Sequence, residues 1–506
     1  MTITMQNTEK GQCYAVKFDR YRQQVVDKLK SSVSIRWWDK QTGAWLIPAT
    51  NKCKAELDQL TYYVRYFEPV QWGTIAQSQT EEDVAFQIPE MPELDGEHGL
   101  KVQPYPYQLQ GIARGLQLKR FINGDDMGLG KTLESIATIN KADAFPCLVI
   151  CPNVVKINWQ REWHKFTDKK AMVLTDSVRD SWPFFWQTGM NQVFIVNYES
   201  LRKYFVRRIT KAEKWTLKDV EFHNTIKLFK SVIIDESHKV KSTATQQTKF
   251  CKGITSGKEY IILLTGTPVV NKPKDLVAQL GIMDRMIDMG GWKGFMLRYC
   301  SGPNQASNLK ELNYKLWQHC FFRREKSKVL TQLPDKVRQI VSCEITNRKE
   351  YMDAERDLID YLKRYKEADD EKIQKSLKGE VMVRIGILKD ITARGKLKEV
   401  IDFVKDFREN GKKIILFCNL HEIVDRLMIA FPSAVCVTGR QNMQEKQASV
   451  DAFQKNSKTD VIICSIKAAS AGITLTAASD VAFIELPWTY ADCDQAESRA
   501  HRIGQK

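Results

Sequence analysis

Eight short runs, CLVICP, VFIVNYE, SVIIDE, YIILLTGTP, KIILFCN, AVCVTG, DVIICS and DVAFIELP, are apolar almost throughout and break off at polar residues. A strand with one wet face alternates apolar and polar residues; one without alternation is buried on both faces, as in a parallel sheet covered by helices. The runs form two groups, one on each side of the mainly helical residues 274–412. The pattern predicts an α/β chain with two lobes, each a parallel sheet flanked by helices, and helical insertions between them. At 506 residues the chain exceeds one compact domain, since a domain takes ~150 residues.

Ahead of the lobes, residues Gly11 to Tyr66 read as helix, hairpin, helix. Val25, Val26 and Leu29 share one helical side, and Ile35 and Trp37 alternate against Trp45 and Ile47 across a Gly-containing turn. Ten Lys/Arg face five Asp/Glu there. A basic unit bearing Trp37, Trp38 and Trp45 could grip DNA through phosphate contacts and stacking; a tryptophan mini-core under solvated lysines is an equal alternative. From Tyr66 to Leu100 there is no Lys or Arg, and the stretch is acidic with Pro89, Pro92 and Gly96, which reads as a linker. The expected organisation is therefore 1–68 a small basic α+β domain, 69–100 a linker, 101–285 the first lobe, 286–395 helical insertions and the inter-lobe connection, and 396–506 the second lobe.

The formal charge of +16 favours a polyanionic partner. No apolar run reaches the ~20 residues of a membrane helix, so nucleic acid is the better candidate. The 12 cysteines are scattered singly without clustered histidines. They read as buried reduced thiols of a cytosol-like compartment and not as a zinc site.

GDDMGLGKT, at Gly124 to Thr132, carries the chemistry of a phosphate cradle. Gly128 and Gly130 allow tight turns whose N–H groups surround phosphate oxygens, Lys131 reaches the β- and γ-phosphates, and the Thr132 hydroxyl binds Mg²⁺. The remaining loop residues, Asp125, Asp126, Met127 and Leu129, complete a candidate ATP loop. SVIIDESH places Asp235 and Glu236 at a strand end, where Asp235 suits Mg²⁺ and Glu236 suits water activation. LLTGTP puts Thr265 and Thr267 where hydroxyls could sense the phosphate or relay its state. Gln495, Arg499 and Arg502 are spaced i, i+4, i+7, one stripe of a predicted helix that exits at Gly504. Arginines on the second lobe, presented across a cleft to the first, would neutralise transition-state charge and make hydrolysis depend on closure.

Taken together, YQLQG, DDMGLGKT, DESH, LTGTP, SIKAASAGITLTAASD and QAESRAHRIGQ resemble, in order, the motifs of the SNF2 family of superfamily 2 DNA translocases. FFRREKSKVLTQLPDK is similar to the family's connection between lobes, and the WWDKQTGAW unit to the HARP domain of the SMARCAL1/HARP-like annealing-helicase branch. The resemblance implies two RecA-like lobes with SNF2-type insertions, and ATP and Mg²⁺ as substrate and cofactor. It implies Gln108 reading adenine, Asp125 as the family's form of the loop, and Gly472 in a motif coupling DNA to ATP. Pro152, Trp159, Asn197 and Tyr198 would lie in segments that touch the DNA backbone, with Ser465 and Gln495 among the coupling residues. The expected activity is DNA-dependent ATP hydrolysis that drives movement on duplex or branched DNA, in annealing, fork regression or branch migration.

Single-strand-binding or other replication and recombination proteins are the expected protein partners. The expected location is the cytoplasm of a bacterial or virus-infected cell, or a eukaryotic nucleus. The chain stops just after the last motif, where relatives continue with a bracing helix. Rival readings are a strand-separating DNA or RNA helicase, a chromatin remodeller, and a nucleotide-gated DNA-binding scaffold without useful hydrolysis.

Overall fold

The computed structural model describes the chain apart from residues 9–10, 20, 66, 68, 73–85, 212, 270–271, 302–304, 331, 333–335, 357–379, 467–472 and 502–506. It divides into two compact units, one of residues 1–91, 238–252 and 268–322, the other of 92–237, 253–267 and 323–506.

In the first unit, strands Thr2–Thr8, Gly11–Lys17, Trp37–Asp39, Ala44–Pro48 and Gln71–Trp72 form one sheet. The helix read over Val25 to Leu29 is present as Gln23–Ser32, but the reading of Gly11 to Tyr66 as helix, hairpin, helix left out a strand: Gly11–Lys17 precedes that helix and pairs antiparallel with Thr2–Thr8. The first strand was missed because TITMQNT sends only Ile3 and Met5 toward the core, too brief an alternation to register. Ile35 lies outside the hairpin, which pairs Trp37 with Leu46 and Trp38 with Trp45. Helices Gln23–Ser32 and Asn51–Val64 supply Val25, Leu29, Leu57, Leu60 and Val64 to a core shared with Ile3, Tyr14, Val16 and Ile47. Helices Leu276–Ile282, Gly291–Tyr299 and Leu309–His319 belong to the same unit.

The second unit holds two parallel sheets. In the first, strands run in the order Arg120–Asn123, Tyr260–Leu264, Ser231–Asp235, Cys147–Cys151, Val193–Asn197, Ala171–Val173. In the second the order is Val435–Val437, Val461–Ser465, Ile414–Cys418, Asp480–Phe483. Each of the eight apolar runs is a strand, and the second sheet shows why they lack alternation. Ile414, Leu416 and Cys418 pack into one core with the helices Leu397–Glu409 and His421–Ala430, while Ile415 and Phe417 pack into another on the opposite face. Both faces are dry, so neither tolerates polar residues.

All 12 cysteines are free, and burial pushes the Cys147 thiol up to about 12, which leaves it inert at neutral pH. Among the described residues, no helix is long and apolar enough to cross a membrane.

Candidate nucleotide site

The loop leaves the strand Arg120–Asn123 and enters the helix Lys131–Lys141 through Gly130, at φ 89°. Glycine is required at this position. Besides the left-handed backbone, a Cβ there would lie 2.3 Å from Gln108 Nε2. Gln108, only 3% exposed, donates to Leu129 O (3.0 Å) and accepts from Tyr105 N (3.0 Å). The Tyr107 hydroxyl donates to the same Leu129 carbonyl at 2.9 Å. Gln108 thus braces the loop with both ends of its amide, and an adenine contact would require one of those bonds to be exchanged. Lys131 Nζ donates to the carbonyls of Asp125 (2.6 Å) and Asp126 (3.2 Å).

Asp235 ends its strand facing this loop. Its Oδ2 accepts from the Trp159 indole at 2.9 Å, its Oδ1 from Glu236 N at 2.9 Å, and its carbonyl from the Tyr198 hydroxyl at 2.5 Å. Burial first, and then the charge of Glu236, push the Asp235 carboxyl up, with Lys131 opposing. Glu236 sits at φ 53°, a left-handed backbone rare for a residue with a side chain. Two crowded carboxylates, close enough to Lys131 to feel its charge, and the Thr132 hydroxyl next along the helix are hard oxygen donors of the kind one divalent cation would relieve. Mg²⁺ suits them, because that ion takes few protein ligands and shares the rest with water and phosphate.

The second sheet delivers the other half. Helix Tyr490–Glu497 packs Ala496, and the turn beyond it packs Ala500, into that sheet's core. This aims Gln495 Nε2 at Glu236 Oε1, 3.2 Å away. Arg499, 2% exposed, is pulled down by burial and supported by the charges of Glu236 and then Asp235. The expected single stripe needs correction, because the helix ends at Glu497 and Arg499 lies in the turn that follows. Ser498 caps the helix and Arg499 O accepts from Leu475 N, so the chain turns instead of continuing the spiral. Arg502, Gly504 and Gly472 lie outside the described residues.

Other expectations fare unevenly. Pro152, Trp159, Asn197 and Tyr198 are all buried, so a DNA backbone touched by these segments would meet their main chain or neighbouring side chains. Trp159 and Tyr198 turn inward to Asp235. Asn197 accepts from Lys156 Nζ (3.3 Å) and donates to Glu199 (2.8 Å). Thr265 is buried and accepts from Thr267 N at 3.1 Å. The intervening Gly266 lies so near the loop that a Cβ there would be 3.1 Å from Met127. Ser465 is partly exposed at the end of its strand. In the N-terminal hairpin Trp38 is 49% exposed and stacks edge-on with the partly buried Trp45, ring centroids 5.4 Å apart. Trp37 is partly buried.

Sequence reasoning missed the strongest electrostatic feature of the site. Arg324 bonds to Asp125 through Nε (3.1 Å), to Glu134 through Nη2 (2.6 Å), and to the Tyr107 carbonyl. Beside it Arg323 reaches Asp126 at 2.9 Å, and Lys326 N donates to the same carboxylate at 3.0 Å. Lys326 Nζ continues to His501 O at 2.8 Å, and Lys336 to Asp494 at 2.7 Å. The connection between the lobes therefore straps the nucleotide loop to the segment that carries Arg499. The Arg-Arg doublet was the only signal.

The site is that of a P-loop-type nucleotide-binding protein, whose acid pair lies on one α/β lobe and whose arginine comes from a second. The SNF2-related domain family matches residues 107–393, and the helicase conserved C-terminal domain matches 395–504. The chain belongs to the SNF2-related family. It is 28% identical over 522 residues to the Drosophila melanogaster SWI/SNF-related matrix-associated actin-dependent regulator of chromatin subfamily A-like protein 1, covering 97% of this chain and 63% of that one. It is 29% identical over 429 residues to the human DNA annealing helicase and endonuclease ZRANB3, covering 80% and 37%. This chain thus spans less than two thirds of either relative. A Sulfolobus solfataricus SWI2/SNF2 ATPase core, solved in complex with dsDNA, aligns with a TM-score of 0.41 at 24% identity, over 82% of this chain and 88% of that one.

Proposed function

We propose that the chain is a DNA-dependent ATPase that moves along duplex DNA and remodels branched DNA by annealing, fork regression or branch migration. The observation that carries this reading is the placement of Gln495 and Arg499, from the second lobe, against the Asp235–Glu236 pair of the first. In hydrolysis, a water oxygen bonds to the γ-phosphorus as its bond to ADP breaks, and Glu236 takes the water's proton. Lys131 and Arg499 balance the charge on the transferred group. Bound Mg²⁺, with Thr132 and Asp235 as its protein ligands, would neutralise the β- and γ-phosphate oxygens. The arginine contributes only while the lobes are together, so turnover alternates closed and open states, which is how hydrolysis becomes movement.

DNA as partner is supported by the net charge of +16 and by the family. Preference for branched DNA is supported by similarity to named annealing helicases and by the exposed Trp38 in a basic N-terminal sheet. Replication and recombination proteins are the protein partners this activity implies. The work would take place in the cytoplasm of a bacterial or virus-infected cell, or in a nucleus.

The test is ATP turnover with and without duplex DNA for the parent, Lys131→Ala and Arg499→Ala. Stimulation by DNA in the parent and its loss in both variants supports the motor. A parent that binds DNA but is not stimulated by it is a scaffold.

A further inference from the structure

Between the second apolar run and the acid pair, the chain inserts a two-stranded antiparallel sheet, Val206–Ile209 with Val220–Phe222, directly after the helix Leu201–Phe205. Its base is pinned. Phe205 and Phe229, both sealed, have ring centroids 6.0 Å apart, Trp182 stacks on Phe229 at 4.3 Å, and His223 N donates to Phe205 O at 2.9 Å.

The helix and the strand Val206–Ile209 line a cavity of about 400 Å³ with Arg202, Lys203, Arg207 and Arg208, and with Glu199 as its one acid. A register shift explains how consecutive arginines share it. Val206 pairs with Phe222 and Arg208 with Glu221, so Arg207 is an extra residue, a bulge. In a regular strand Arg207 and Arg208 would face opposite sides. The bulge re-aims the chain so that both line the cavity.

These cations are not equally engaged. Arg208 is bonded twice to Glu221, at 2.8 Å each, and Lys203 pairs with Asp176 at 2.7 Å. Glu199 accepts from Asn197 at 2.8 Å. Arg202 and Arg207 are exposed and have no hydrogen-bond or ion-pair partner among the described residues. Glu221 feels the charge of Arg207 but is bonded to Arg208. From Glu199 to Lys230 nine Lys/Arg face four Asp/Glu, and Lys214 and Lys218, between the two strands, are exposed as well. Unpaired guanidinium groups on a pinned hairpin suit phosphate, whose oxygens their planar fork matches. A surplus of charge that runs on past the cavity suits a long polyanion better than a single anion.

We propose that this bulged hairpin and the helix before it form a phosphate-backbone site, in which Arg202 and Arg207 hold a nucleic acid. The site rests on the DNA-dependent ATPase reading above and gives it a surface.

The experiment measures the Kd of the full chain for duplex, single-stranded and forked DNA between 50 and 200 mM salt. Each phosphate contact contributes about 0.9 to the slope of log Kd against log salt on duplex, and about 0.7 on a single strand. Arg202→Ala/Arg207→Ala should therefore flatten the slope by about 1.8 or about 1.4, alike for unrelated sequences. The DNA form that loses slope is the form held. Arg202→Lys/Arg207→Lys keeps the charge and should keep most of the slope. Arg426→Ala/Arg440→Ala removes the same charge from arginines paired with Glu422 and Asp425, and should match the parent. ATP turnover without DNA should be unchanged in all three.

An alanine variant at Arg202 and Arg207 that keeps the parent's slope on every substrate overturns the site and leaves the ATPase reading standing. An equal loss in Arg426→Ala/Arg440→Ala also overturns it, since the effect then belongs to net charge. So does an oligoglutamate peptide that the parent binds and the alanine variant does not, with DNA binding unchanged, which would make the groove an acidic-peptide site. A parent whose turnover and Kd respond to neither DNA nor salt sinks both readings. Should the double alanine variant melt below the parent, the single variants Arg202→Ala and Arg207→Ala, each expected to flatten the slope half as much, decide.

Discussion

Glu134 is a carboxyl group sealed at 2% exposure, one turn into the helix that the nucleotide loop opens. Burial pushes it up to about 8, against the pull of Arg324. A carboxyl raised in this way favours its protonated form in the folded protein. Its contribution to stability is complete below the ordinary value of 4.5 and is lost as pH rises through about 8. Glutamine keeps the shape and cannot ionise, and Asp125 still pairs Arg324. The melting temperature of Glu134→Gln relative to the parent should therefore climb between pH 6 and pH 9. A difference that stays flat over that range would mean Glu134 is already ionised. The sequence made Lys131, Thr132, Asp235 and Glu236 legible, because each sits in a short motif whose chemistry is local. Glu134 carries no such label, since its character comes from an arginine 190 residues away.

At the scale of elements, the inter-lobe connection is the part whose role changes most once the fold is known. Its sequence resembles a connection between lobes, yet the Arg324 side chain is 8% exposed between two carboxyl groups that are themselves buried. Removing one partner of such a cluster strands the others and typically costs about 3–5 kcal/mol. Arg324→Leu should therefore destabilise the lobe by about that amount in denaturant unfolding. Adding Asp125→Asn and Glu134→Gln to Arg324→Leu should recover part of the loss, because neutral amides tolerate burial better. An Arg324→Leu chain as stable as the parent would show that the network contributes nothing net. The eight parallel strands were readable because double-sided burial removes alternation, a signal contained within five residues. The pairing of Thr2–Thr8 with Gly11–Lys17 was not, since two inward residues, Ile3 and Met5, make almost no pattern.

For the whole molecule, the prediction concerns DNA. A chain of charge +16 that holds DNA mainly by its phosphates releases counterions on binding, and a contact with 6–10 phosphates loses about a thousandfold or more in affinity between 50 and 200 mM salt. Duplexes of unrelated sequence should share this steep slope. A nearly salt-independent Kd, or one that tracks sequence, would point to base reading instead.

Order along the chain was enough to name eight of the parallel strands, the phosphate loop, the acid pair and the family they resemble, because hydrophobic period and motif spacing act over a few residues. Which side chains meet was decided by the fold. Trp159 finds Asp235 across 76 positions, Arg324 finds Asp125 across 199, and Gln495 finds Glu236 across 259. Parallel strands return through crossovers, so neighbours in space are strangers in sequence, and local rules carry no record of the contacts that this return creates.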